Sequence, residues 1–216
     1  MSATVKAARA ASENVYGNKP LNCYSTVQSY SGSEARLYEK QDGCDGPQFM
    51  LAYRGTQSFK DGLADIGIVS KMGGASIFRK AYRKGIGAVK TIGKVRRKLP
   101  STFLLEKYLN ERLRRSKRAA EDAIKEVTSR GYSKEDLIIT GHSLGGYLAD
   151  KIANLYNVRS FVFNRGGIGR AGSKTTAIRQ KGDLVSLFTR GDKTKGKLEL
   201  KPLKAHGITN ETLAEG

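Results

Sequence analysis

The sequence predicts an α/β fold, with a mainly parallel central sheet flanked by helices, and three observations predict it. Strand-like and helix-like segments alternate along much of the chain. The apolar, β-branched run "LIIT", Leu137 to Thr140, passes straight into "GHSLGG" and then into a helical pattern, which makes a strand-to-helix corner. No Pro/Gly/Ser-rich linker and no internal repeat divides the 216 residues, and a hydrophobic content of 38% is enough to build one substantial core. A single domain over 1–216 is expected.

Taken in order, Ala3 to Val15 reads as a short helix closed by Gly17 and Pro20. "EARLYEK" and "QFMLAYRGT" read as two strands around the turn-rich "QDGCDGP", a hairpin-like pair leading to a corner at Gly55. A basic stretch follows. From Ile66 to Leu105 there is no acidic residue, while Phe78, Tyr82, Ile86, Val89, Ile92 and Val95 recur at helical spacing. Gly85, Gly87 and Gly93 weaken that helix by about 1 kcal/mol each relative to alanine. A long helix is expected after Pro100, starting at Ser101 or Thr102 and closed by Gly131. Then come a strand over Asp136–Thr140, the serine corner, a helix to about Tyr156, and strands in "VRSFVFNRGG" and "DLVSLFTRGD".

Gly141-His142-Ser143-Leu144-Gly145 matches G-x-S-x-G. A serine at such a corner is lifted clear of the sheet on strained backbone, and its neighbours must be small. The N–H of Leu144 and the start of the next helix then face an oxyanion forming at the serine. The bland alternatives are a glycine-rich turn packed closely for steric reasons, or a phosphate loop. A Walker-type loop is disfavoured because the lysine-serine or lysine-threonine ending is missing.

A serine hydroxyl needs a base. The chain has two histidines. His142 lies inside the corner and is expected to point away from the hydroxyl, which leaves His206, downstream of the serine. A carboxylate between them would hold the imidazole. Asp150 is expected to point elsewhere along the elbow helix, Asp192 to be a solvated loop acid, and Asp183, directly after Gly182, is favoured. "FMLAYRGTQS" offers the second oxyanion donor, Thr56, just past the end of a buried strand.

These segments resemble the class 3 (fungal-type) lipase family of α/β-hydrolases. "LAYRGTQSFKDGLAD" resembles its oxyanion strand and loop, "IITGHSLGGYLA" its elbow, "FVFNRGGIG" the next strand and loop, and "KGDLVSLF" the triad-aspartate segment. The resemblance covers most of Ala7 to Leu213. Gly62 replaces a usual tryptophan, and expected prolines near Gly166 and Ser186 are absent. The family implies hydrolysis of acyl esters of lipids without metal or organic cofactor. The residues carried over are Ser143, Asp183 and His206, with Thr56 and Leu144 as oxyanion donors.

A net charge of +19 points to an anionic partner. The segment at about 70–100 is expected to act as a lid and as a contact with anionic membrane, since a cationic amphipathic helix favours such a surface. Nucleic acid ranks lower as a partner, because aromatic residues suited to base stacking are few. The rival reading is an inactive hydrolase scaffold binding nucleic acid or membrane through that basic surface. Cys23 and Cys44 give no secreted-framework signature and are expected to be free thiols. With neither a signal-peptide core nor an apolar run of about 20 residues, the default expectation is a cytoplasmic or peripheral membrane location.

Overall fold

The computed structural model describes residues 2–17, 20–31, 34–55, 102–167, 169–183, 186, 189–195 and 207–208. The expected basic lid at about 70–100, Thr56 and His206 lie outside the described residues.

Seven strands form the main sheet: β1 (Tyr24–Ser31), β2 (Ala35–Lys40), β3 (Phe49–Tyr53), β4 (Leu137–His142), β5 (Arg159–Phe163), β7 (Thr175–Gln180) and β9 (Lys193–Lys195), in the order β1-β2-β3-β4-β5-β7-β9. The first three are joined by antiparallel pairings, β1 with β2 and β2 with β3. From β3 onward every neighbour is parallel, with Tyr53 aligned to Gly141 and His142 to Phe163. A two-residue parallel pair, β6 (Gly169–Arg170) and β8 (Thr189–Arg190), stands apart. The expected α/β class with a mainly parallel sheet holds, and the architecture is consistent with an α/β-hydrolase.

Both faces of the sheet are covered, so its central strands are apolar throughout rather than alternating. All five residues of β3 are buried. Helix α1 (Ala3–Asn14) covers one face with Val5, Ala8 and Ala11, against Met50, Ala52, Ile138 and Phe163. Its alanines let it approach closely, and Ser12 Oγ meets Thr140 Oγ1 at 2.7 Å at the contact. Helices α2 (Thr102–Ser129) and α3 (Leu144–Tyr156) cover the other face. Ala120, Ala123 and Val127 of α2, with Leu148 and Ile152 of α3, pack on Phe49, Leu51, Leu137 and Ile139. Gly131 closes α2 in the left-handed region (φ 84°), as its place in the sequence predicts. No helix among the described residues is long and apolar enough to cross a membrane.

Four expectations need correction. Strand β1 has no counterpart in the sequence reading. Asp136 does not begin β4; it closes a 3-10 turn, Lys134–Asp136, where its carboxylate accepts Ser133 N–H at 2.9 Å. The next strand of the main sheet after β5 is Thr175–Gln180; of the expected "DLVSLFTRGD" strand, Thr189–Arg190 forms β8 of the small pair, while Asp183 and Ser186 lie outside any strand. Finally, Cys23 and Cys44 are joined in a disulfide, with Cα atoms 5.7 Å apart. Pairing of Tyr24 with Lys40 brings them together: Gln41 N–H donates to Cys23 O (2.9 Å) and Cys44 N–H to Gln41 O (3.3 Å). The turn after β2 thus folds back onto the residue before β1.

Candidate active site

The corner at Ser143 is built from backbone. Strand β4 must turn into α3 within one residue, which puts Ser143 at φ 57°, ψ −126°, a conformation that costs an L-residue of order 1–3 kcal/mol. Three backbone bonds hold it there. Ser143 N–H donates to Phe163 O (3.1 Å), while Ser143 O accepts from Gly166 N–H (3.0 Å) and from Tyr147 N–H (3.1 Å). The serine is therefore fastened to the end of β5 on both sides of its peptide group.

The glycines around it are required by space. A Cβ on Gly141 would fall under 3.0 Å from the backbone of Gly145 and Gly146, and one on Gly145 would strike Tyr53 O, Gly55 N and Arg54 C. A Cβ on Gly55 would lie 2.7 Å from His142 O. Strand ends and helix start touch backbone to backbone here, which explains the small residues on both sides of the serine.

Leu144 is the first residue of α3, so its N–H belongs to the turn that has no intrahelical carbonyl to bond, while its side chain is buried in the core. His142 is buried, and its Nδ1 and carbonyl O each lie 3.4 Å from Tyr16 Oη, which also accepts the Gly55 N–H at 2.9 Å. Tyr16 was not singled out by the sequence; it ties the corner to the end of α1.

Asp183 is buried three residues beyond β7. Gly182 at φ 99° turns the chain, Asp183 N–H donates to Gln180 O (3.1 Å), and Ser186 supplies its N–H (3.2 Å) and hydroxyl (2.5 Å) to Asp183 Oδ2. Because β3, β4, β5 and β7 are parallel neighbours, Gly55, Ser143 and Asp183 all leave the same carboxyl edge of the sheet. Two strand spacings, about 10 Å, separate the ends of β4 and β7.

Asp150, on α3, is buried beside Arg165. Asp192 does not behave as a solvated acid: its side chain is fully buried. The reason is Arg165, itself 1% exposed, which the sequence reading passed over. The guanidinium reaches Asp192 Oδ1 with Nε (3.2 Å) and Nη2 (2.9 Å), Gly169 O with Nη2 (2.7 Å), and Asp150 Oδ2 with Nη1 (3.8 Å). Asp150 also accepts Gly172 N–H at 2.9 Å. A buried arginine needs such partners; the only hint in the sequence is a charge directly after the apolar strand "SFVFN". Burial, and then the Asp150 carboxylate, push the Tyr147 phenol pKa upward.

Among the described residues no group of three or more His, Cys, Asp or Glu is placed to hold a metal ion. Fold and corner together define a protein of the α/β class consistent with an α/β-hydrolase, carrying a serine on a strained strand-to-helix turn. Residues 100–166, which comprise α2, β4, α3 and β5, match the model of an uncharacterised protein family (UPF0227). That match says nothing specific about fungal-type lipases. No curated protein matches the chain.

Proposed function

We propose that the protein is a serine carboxylic-ester hydrolase acting on lipids, of lipase or phospholipase A type, as the resemblance to class 3 lipases implies. One observation carries the reading: Ser143, at positive φ between a parallel strand and its crossover helix, shares a sheet edge with Asp183 and with Gly55, the residue before Thr56.

In this reading Ser143 Oγ attacks the ester carbonyl carbon as His206 takes the hydroxyl proton. The N–H groups of Leu144 and Thr56 stabilise the oxyanion. The tetrahedral intermediate collapses, His206 returns the proton to the leaving alcohol, and the acyl group stays on Ser143. Water then repeats the cycle and releases the acid. Asp183, fixed by Ser186, holds the imidazole and stabilises its cation. Support comes from the spacing of the β4 and β7 ends, which accommodates one imidazole between serine and carboxylate. Support also comes from Ile208, two residues past His206. Its side chain is buried in the cluster containing Phe163, and its carbonyl accepts Arg9 Nε at 3.2 Å. Phe163 is the residue whose carbonyl binds the Ser143 N–H.

The net charge of +19 favours work at an anionic membrane surface, with the basic segment at about 70–100 as lid and contact. A fluorophosphonate probe tests the chemistry: Ser143 should label and Ser143→Ala should not. An unlabelled serine, where a lipase control reacts, would favour an inactive scaffold binding nucleic acid or membrane. Co-sedimentation with liposomes tests the surface; equal binding to neutral and anionic vesicles at low salt removes it.

A further inference from the structure

Several arginines near the sheet have polar partners. Arg112 and Arg115 reach Glu34, Arg130 reaches Glu39 and Glu126, Arg165 reaches two aspartates, and Arg36 and Arg179 donate to carbonyl oxygens. Arg54 differs. Its carbonyl accepts Arg112 Nη2 (2.7 Å), but no hydrogen bond or ion pair of its own guanidinium is found among the described residues. Its Nε is buried without a hydrogen-bond partner among the described residues. What the guanidinium does meet is the face of Tyr16, 6.0 Å from the ring centroid. A ring face attracts the charge but leaves the planar fork of N–H donors unused.

Its position gives that vacancy meaning. Arg54 follows β3 at the carboxyl edge, and its backbone packs on Gly145, two residues after Ser143. Tyr16, which carries the guanidinium on its ring, lies with Oη 3.4 Å from His142, the neighbour of Ser143. Beside the corner, on a strand end whose backbone is locked, therefore stands a half-buried cation whose donors meet no acceptor among the described residues. Donors of this geometry suit an oxyanion held by two parallel bonds.

We propose that Arg54 binds an anionic group, a phosphate or a carboxylate, on the ester substrate, and so selects charged over neutral lipids. The proposal deepens the hydrolase reading and rests on Ser143 marking the reacting centre.

The test is calorimetric binding of non-hydrolysable probes to the full chain. These are a dihexyl ether analogue of phosphatidylglycerol, the same ether lipid bearing a carboxymethyl ether, and uncharged dihexyl glycerol ether. The charged probes should bind about tenfold more tightly than the neutral one, as a charge-assisted pair provides. Arg54→Gln should erase that preference, and Arg54→Lys should restore part of it, which a merely structural role for the side chain would not produce. A phosphate probe outcompeting the carboxymethyl ether identifies a phospholipid-type group; the reverse order identifies a carboxylate. Equal affinity of all three for the unmodified chain, or a preference that survives in Arg54→Gln, overturns the proposal. Should Arg54→Gln fail to fold by circular dichroism, Arg54→Lys and the unmodified chain still decide it. Fluorophosphonate labelling on the same samples separates the two ideas. An unlabelled Ser143 with intact anion preference sinks the hydrolase reading alone, and a labelled Ser143 without preference sinks the anion site alone.

Discussion

The ends of β4 and β5 lie side by side in the sheet, yet they are held in place by opposite means. At the end of β4 the constraint is steric and uncharged. Ser143 sits at positive φ, three backbone hydrogen bonds fix it, and glycines allow strand and helix to touch. At the end of β5 the constraint is ionic. Asn164 is also at positive φ (42°), but the next residue is a buried arginine balanced by Asp150 and Asp192. At the serine corner the contacts that set the shape run mainly through backbone. Charge commits three side chains and leaves none.

Four outcomes would break or sharpen this contrast. The largest concerns activity. On the proposed hydrolase reading, Ser143→Ala should lower ester hydrolysis by roughly 10⁴-fold or more, as removal of a triad nucleophile does, while changing the urea midpoint less than Arg165→Met does. A variant that kept its turnover would move the chemistry away from this corner. Second, Arg165→Met should destabilise by about 3–5 kcal/mol, because two buried carboxylates lose their counter-charge. The triple change Asp150→Asn, Arg165→Met, Asp192→Asn should cost less than Arg165→Met alone; if it costs more, the network is not held by charge balance. Third, Gly145→Ala should cost about 1–3 kcal/mol in chemical denaturation, since the new methyl meets fixed backbone at Tyr53 and Gly55. A neutral result would mean that the contact is not tight.

The smallest effect lies away from both strand ends. Burial pushes the Tyr24 phenol up to about 12, and its hydroxyl donates to Pro47 O at 3.0 Å. The folded state then holds this proton more tightly than the unfolded chain, whose phenol titrates near 10. That contribution to stability is complete below pH 10 and is lost as the pH rises towards 12. Melting temperature in a pH series should fall over that window, and Tyr24→Phe should flatten the fall.

Much of the first contrast was legible in the sequence, and most of the second was not. The helices over Ala3–Asn14, Thr102–Ser129 and Leu144–Tyr156 show periodicity and stop signals strong enough to read directly. The glycines of "GHSLGG" declare a tight corner by their spacing alone. Strand β1, "YSTVQSYS", escaped because an edge strand has little apolar face to display. β7, "TTAIRQ", escaped because its polar residues look less strand-like than the apolar "LVSLF" a few positions on. Asp192 was misread for a different reason: whether an acid in a lysine-rich turn is solvated depends on a partner 27 residues earlier in the chain. Local composition carries no trace of that. Of the site, Ser143, Leu144 and Asp183 come from readable turns, whereas Thr56 and His206 fall outside the described residues.

The Cys23–Cys44 bridge has a bearing on how the molecule comes apart. Among the described strands β1 is the outermost on its side of the sheet, the kind of border at which pairing with another chain begins. Closing a loop of 21 residues removes unfolded conformations worth about 3 kcal/mol. The bridge ties the residue before β1 to the turn after β2 and so holds this border strand to its neighbour.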